Sequence, residues 1–313
     1  MLRYVLQRIL ATIPVMGVVA VIVFVLLRLS TGDPAVIMAG DAASEAQLEA
    51  IRRHMGLDQP IVVQFFIWLG QVTTGDFGTS LHYGIPVTQI IGGRVGPSLS
   101  LALLTIAFSI AVAVPLGALA AWAHGSILDR LVMSFSVLGF STPIFVTGYV
   151  FVFLMAVKAG WFPIQGYRSL ANGVGPWLLK LVLPTVSLST IYIALIARIT
   201  RSSILEVLGE DFIRTARSKG VAEVQIFMRH ALRNAAVPIT TIIGIGAAFM
   251  ISGVVVTESV FNIPGLGRLV VEAVLARDYP LIQALILLFS FVYILINLIV
   301  DLLYTVFDPR IRY

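Results

Sequence analysis

Residues Ser98 to Trp122 read SLSLALLTIAFSIAVAVPLGALAAW, without one acid or base along the run. A helix rises about 1.5 Å per residue, so about 20 such residues cross the roughly 30 Å hydrocarbon core of a bilayer. A soluble core buries one apolar run of this kind, not several. Outward from this stretch the chain has five more: Ile9 to Leu27 before it, then Leu131 to Val157, Leu179 to Ala197, Val237 to Val256 and Pro280 to Phe307. Of 313 residues, 58% are hydrophobic and only 12% are charged, half the roughly 25% of a soluble domain. The expectation is an all-α membrane protein with six transmembrane helices.

Charge sets the expected orientation. Arg3 and Arg8 resemble the start of a signal peptide, but the run behind them is too long for a signal core. Arg28-Leu29-Ser30 also lacks a small-residue cleavage pattern. The expectation is an uncleaved first span, residues 1–30, with its N-terminus inside. Residues 198–236 carry Arg198, Arg201, Arg214, Arg217, Lys219, Arg229 and Arg233, and loops so basic stay in the cytoplasm. The polar insert 31–97 holds Asp33, Asp41, Glu45, Glu49, Asp58 and Asp76 against three basic residues, which suits the outside. Six crossings satisfy both, with N- and C-termini cytoplasmic. The Ala123 to Arg130 turn and the 308–313 tail then fall inside, and 98–307 forms a five-helix core. Within the insert, Ser44 and Gln47 have capping-box spacing ahead of Leu48, Ile51 and Met55, with Gly56 at the stop. This is a short amphipathic helix; the remainder reads as turns and short helices.

Several function classes drop out. The net charge of +5 follows the cytoplasmic loops, and no basic stretch interleaves aromatics for stacking on nucleic acid. The chain has no cysteine, hence no disulfide or thiolate chemistry. His54, His82, His124 and His230 are scattered on both sides, and no HExxH or in-span carboxylate pair offers a metal or catalytic centre. An ion-coupled carrier usually places ionisable groups near the bilayer middle. Here Arg28, Lys158 and Lys180 sit at span ends, where long side chains snorkel. Asn297 and Asp301 are the exceptions, and Asp301 lies toward the cytoplasmic end, where capping or pairing suits it. No GxxxxGK[ST] loop is present, so active transport by that route draws energy from a partner. An ion-coupled secondary carrier stays the alternative function, with an intramembrane enzyme behind it.

Two segments invite a functional reading. In the fifth span, Thr240, Thr241, Gly244, Gly246, Ser252 and Gly253 give a thin, mildly polar surface. It serves either close helix packing or the lining of a path for a polar solute, and both readings stand. In the cytoplasmic stretch, Glu210 and Asp211 suit a helix N-terminus, while Arg217, Lys219 and Gly220 suit its end. A short helix outside the membrane, a glycine break and a second helical segment follow one another. With Phe212-Ile213 and alternating charge, this is the expected docking helix for a soluble partner.

That stretch resembles the cytoplasmic loop of ABC importer permeases of the dipeptide and oligopeptide family. The pattern Glu-Asp-aromatic-x-Arg-Thr-Ala-Arg-x-Lys-Gly, then His-x-Leu-Arg-Asn-x-x-x-Pro, is met by Glu210, Asp211, Phe212, Arg214, Thr215, Ala216, Arg217, Lys219 and Gly220. His230, Leu232, Arg233, Asn234 and Pro238 complete it. Arg214-Thr215-Ala216 stands where the wider importer consensus begins Glu-Ala-Ala. Gly32-Asp33-Pro34, Gly56-Leu57-Asp58-Gln59-Pro60, Gly75-Asp76-Phe77-Gly78, Val260 to Gly267 and Arg277-Asp278-Tyr279-Pro280 also match, in order.

The resemblance implies an importer-permease fold. It also implies a homologous second permease subunit, two cytoplasmic ATPase subunits that bind ATP and Mg, and an extracytoplasmic substrate-binding protein. No cofactor belongs to this chain itself, and membrane lipid is its surrounding. Glu210, Asp211, Phe212, Ile213, Arg214, Thr215, Ala216, Arg217, Lys219 and Gly220 would form the coupling helix that enters a groove of one ATPase. Phe261, Asn262, Pro264, Gly265, Leu266 and Gly267 are the candidates for docking the binding protein, with the Ser44 to Leu57 helix behind them. The substrate implied is a peptide or a similar small solute, selected mostly by the binding protein.

Overall fold

The computed structural model describes residues 2–29, 44–54 and 58–307. Gly32-Asp33-Pro34, Gly56-Leu57 and the 308–313 tail lie outside the described residues. The described chain is helical, and the one β contact among these residues is an isolated bridge from Thr79 to Pro86. Twelve helices are numbered here in chain order. They are α1 (Leu2–Leu29), α2 (Glu45–His54), α3 (Ile61–Thr73), α4 (Val87–Trp122), α5 (Ile127–Ser141) and α6 (Ile144–Phe151). They continue with α7 (Val174–Leu208), α8 (Asp211–Ser218), α9 (223–234), α10 (Ala236–Val260), α11 (Leu266–Leu275) and α12 (Tyr279–Phe307).

Among the described residues, four helices are long and apolar enough to cross a membrane: α4, α7, α10 and α12. A fifth span is obtained if α5 and α6 count as one, but they meet at 105°. The sequence reading has one straight span there, from Leu131 to Val157. Pro143 explains the difference. A proline ring crowds the residue before it out of the helical region, and Thr142 is extended at φ −91° and ψ 124°. Beyond α6 the backbone widens into a π-helical turn over Val152–Lys158. In α1 the apolar stretch with described side chains is Leu10–Val25. The fourth span also departs from expectation. Its helix begins at Val174 and runs through Arg198 and Arg201 to Leu208, because a charged residue ends an apolar run without ending a helix.

The chain forms two compact units. Of the described residues, one comprises Gly96–Arg268 with 295–307; the other comprises those of Leu2–Val95 with Leu269–Ile294. In the first, α7 is the centre, packed by α5, α6 and α10. Leu181, Leu188, Tyr192, Ile193 and Ile196 of α7 join Met250 and Val254 of α10 and Leu101 and Ala113 of α4 in one buried cluster. Small residues permit the closest approaches. A Cβ on Gly117 of α4 would lie 2.5 Å from the Ala197 carbonyl oxygen and 2.7 Å from Thr200 Cβ. In the second unit, Phe24 of α1 stacks edge-on to Phe65 of α3 at 5.3 Å and lies 5.6 Å from Trp68. Helix α3 is apolar but spans only 13 residues, fewer than a crossing needs. It stands where the sequence reading had turns and short helices. Asp278, fully buried, caps this unit by accepting the Ser80 hydroxyl and the Leu81, His82 and Leu281 amides.

Candidate functional site

The segment after α7 is built by local rules. Gly209 ends α7, and Glu210 is extended at φ −70° and ψ 151°, the geometry of a residue preceding a helix. Asp211 opens α8, where its charge favours the helix dipole, and Arg217 closes it. Gly220 then takes φ +77°. Its N–H donates to the Arg217 carbonyl and the Val221 N–H to the Ala216 carbonyl, the Schellman arrangement that satisfies a helix end. Nothing lies within 4 Å of a Cβ placed on Gly220, so backbone conformation and not space demands glycine there. Gly220→Val is therefore expected to cost about 1–2 kcal/mol locally and to reduce uptake severalfold. Gly220→Asn, which accepts positive φ, is expected to stay near wild type in the same transport assay; equal uptake by both variants counts against the argument.

Helix α8 is anchored by one residue. Ile213 is fully buried, while Phe212 is 44% exposed and Asp211, Arg214, Thr215, Arg217, Ser218 and Lys219 face solvent. Ala216 is half-buried. The helix packs on the π-helical part of α9, Ile226–Ala231. That part in turn buries Phe227 against Trp122 at the end of α4, ring centroids 5.0 Å apart. Ala121, Ile204, Phe227, Ala231, Ala235 and Ile239 form one buried cluster. Packed side chains thus run from α8 through α9 to the ends of α4, α7 and α10.

Two ion pairs brace this region. Arg201 of α7 grips Asp129 of α5 with Nε–Oδ1 at 2.5 Å and Nη2–Oδ2 at 2.7 Å, and the Gly125 N–H donates to the same carboxylate. His124 Nδ1 stands 3.0 Å from Arg201 Nη2. Across the Gly220 turn, Arg217 donates to both Glu223 oxygens at 2.8 and 3.1 Å. These hydrogen bonds hold the Glu223 carboxyl below the usual carboxylate range and raise Arg217. The more exposed Arg214 reaches Asp211 at 3.2 Å.

At the far end of α10 the chain turns around a buried carboxylate. Glu258 is fully buried. It accepts the Ser98 hydroxyl at 2.5 Å and the Arg268 N–H at 2.9 Å, while Ser98 accepts the Leu266 N–H at 2.7 Å. Asn262 adopts φ 52° in the turn. Gly265 lies against the Glu258 carboxylate, and a Cβ on Gly267 would meet Val255 Cα at 2.5 Å. Phe261, Gly265, Leu266 and Gly267 are buried inside the chain. They shape the turn, and the surface of the loop is carried by Asn262, which is exposed, and Pro264, which is half-buried. The sequence reading passed over Glu258, although a lone acid at the end of an apolar span is a signal in itself.

The fifth-span candidates divide in the same way. Gly253 packs on Leu188, Tyr192 and Ile144, and Gly244 on Val300. Both therefore serve close helix packing, one of the two compatible readings of this span. Gly246 packs on Tyr192 as well. Thr240 and Thr241 are half-buried, with the Thr241 hydroxyl bound to the Val237 carbonyl. Ser252 is exposed, on a stripe with Ile245, Phe249, Val256 and Ser259.

Among the described residues the chain is helical, with four to five apolar spans and a solvent-facing helix packed near the span ends, which defines a membrane protein. The sequence pattern of the "binding-protein-dependent transport system inner membrane component" matches residues 113–313, and that of the N-terminal part of such a component matches residues 1–102. The chain is 52% identical over 310 residues, 99% of both chains, to a "probable peptide ABC transporter permease protein" of Sinorhizobium fredii. It is 42% identical over the full length of both chains to a glutathione transport system permease protein of Salmonella paratyphi A. In fold it is similar to a chain of the MetNI methionine ABC transporter, with TM-score 0.58 and 17% identity over 71% of this chain and 97% of that one. The chain belongs to the binding-protein-dependent inner membrane component family and is a multi-pass inner-membrane permease subunit of an ABC importer. Such subunits work with an ATPase that is a separate chain.

Proposed function

We propose that this permease crosses the membrane six times with both termini in the cytoplasm. It pairs with a homologous permease, and α8 sits in a groove of one of two ATPase subunits that bind ATP and Mg. The observation that carries this reading is α8 itself, a helix with most of its surface in solvent, packed on α9 with one buried residue, Ile213. The basic loop around α8 belongs inside, and the insert 31–97 belongs outside. On the outer side, Asn262 and Pro264 receive a substrate-binding protein. The exposed face of α10 at Ser252, with Thr240 and Thr241 nearer its start, borders the path.

When the ATPases close on ATP, α8 moves with them and the packed span ends follow, switching access from one side to the other. The substrate biases that equilibrium only by binding one state better than the other. The names of the Sinorhizobium and Salmonella relatives support a peptide or a peptide-like solute. The test is uptake of a labelled mixed-peptide pool into proteoliposomes holding this chain, its partner permease and the ATPases, with binding protein on the outside. ATP-dependent uptake that requires the binding protein is expected. Hydrolysis stimulated by the binding protein without uptake removes the peptide, and uptake by this chain alone under an ion gradient removes the importer reading.

A further inference from the structure

The Arg217–Glu223 pair divides the charges of α8 into two kinds. Residues four apart share one face of a helix, so Arg217 lies on the face of the buried Ile213, toward its own chain. Its guanidinium reaches across the Gly220 turn and is held by both oxygens of Glu223 at 2.8 and 3.1 Å. Bidentate pairs of this kind fix orientation as well as position. Phe212, Thr215 and Lys219, spaced three and four apart, share a different face, and all three are exposed. A docking partner therefore finds phenyl, hydroxyl and ammonium groups on that face and the exposed Asp211 and Arg214 beside it, while Arg217 is already engaged.

We propose that Glu223 is a positioning residue: with Arg217 it forms a clamp across the Gly220 turn that sets the angle at which α8 is presented, and Arg217 is not itself a docking contact. This rests on the reading of α8 as the ATPase-docking helix and deepens it. Two backbone hydrogen bonds close the neck of the turn, and no atom within 4 Å of a Cβ placed on Gly220 packs against it to limit its swing. The clamp closes the seven-residue loop from Arg217 to Glu223 and makes the bend single-valued.

The test is a charge exchange in the complete transporter, reading ATP hydrolysed per substrate taken up. Arg217→Glu and Glu223→Arg are each expected to worsen that ratio about fivefold, the upper end for an exposed ion pair. The double variant R217E/E223R is expected to return within about twofold of wild type. Arg217→Lys, which keeps the charge and loses the bidentate fork, is expected to fall between. A double variant as impaired as the singles overturns the proposal and makes Arg217 a contact of the ATPase; wild-type ratios in both singles overturn it as well. The docking reading has its own readout, cross-linking of the ATPase to Phe212→Cys and Lys219→Cys in the assembled complex. An absent cross-link at both positions removes that reading, and the clamp's role with it, whatever the exchange shows.

Discussion

Gly267→Ala is expected to yield almost no folded permease, through a single added methyl group. Its Cβ would stand 2.5 Å from Val255 Cα and 2.9 Å from Val255 N. Both are backbone atoms of α10, so no side chain can swing aside. Relief requires moving the start of α11 away from α10, and that pulls the Arg268 N–H from Glu258 and the Leu266 N–H from Ser98. Glu258 is fully buried, so losing the Arg268 N–H weakens the hydrogen bonding of a buried carboxylate, the costly side of a buried hydrogen bond. Overpacking alone costs about 1–3 kcal/mol, and the broken network adds to it. Glu258→Gln keeps the shape and removes the charge, so a smaller loss is expected. Melting of the detergent-solubilised protein, followed by size-exclusion chromatography, separates the two. A Gly267→Ala protein with wild-type yield and melting temperature refutes the account of the turn.

The second large effect is functional. Ile213→Ala is expected to cut uptake at least tenfold while leaving the spans folded. Truncating a buried isoleucine costs about 2–5 kcal/mol. Here the loss falls on a helix of eight residues, and helices of that length do not stand without tertiary packing. The weakest cooperative unit opens first, so α8 detaches before α7 or α10 is disturbed. ATP hydrolysis then runs without moving the spans. Ile213→Asp places a charge in the same pocket and is expected to be worse. Phe212→Ala, on the exposed side, is expected to weaken ATPase binding without freeing the helix. The measurements are uptake, hydrolysis and protease sensitivity of the 209–221 segment; wild-type uptake by Ile213→Ala with an intact segment would sink the anchoring argument.

Much of this was legible in the sequence because it is written locally. Apolar runs of bilayer length depend on nothing beyond their own residues. The start and stop of α8 follow from Glu210, Asp211 and Gly220 through capping and the helix dipole, and these act within one turn. Resemblance along the coupling loop and the Val260 to Gly267 turn then pointed to the importer permeases. Boundaries were less legible where charge stood in for structure. Arg198 and Arg201 end the fourth apolar run, but the helix continues through both, and Arg201 pairs with Asp129. Its partner is 72 positions away, beyond any local window.

By itself the sequence determined a membrane protein made of apolar helices, a basic loop holding a short helix with a glycine end, and membership in a family of permeases. Tertiary structure alone decided what individual residues do. It turned Gly253 and Gly244 into packing contacts, made Phe261, Gly265, Leu266 and Gly267 the buried frame of a turn, and broke the third apolar run at Pro143. It also drew Arg217 toward its own chain. The reason is physical: hydropathy and capping are sums over neighbours in sequence, whereas a buried carboxylate such as Glu258 is satisfied by Ser98, 160 positions earlier, and only the folded chain brings the two together.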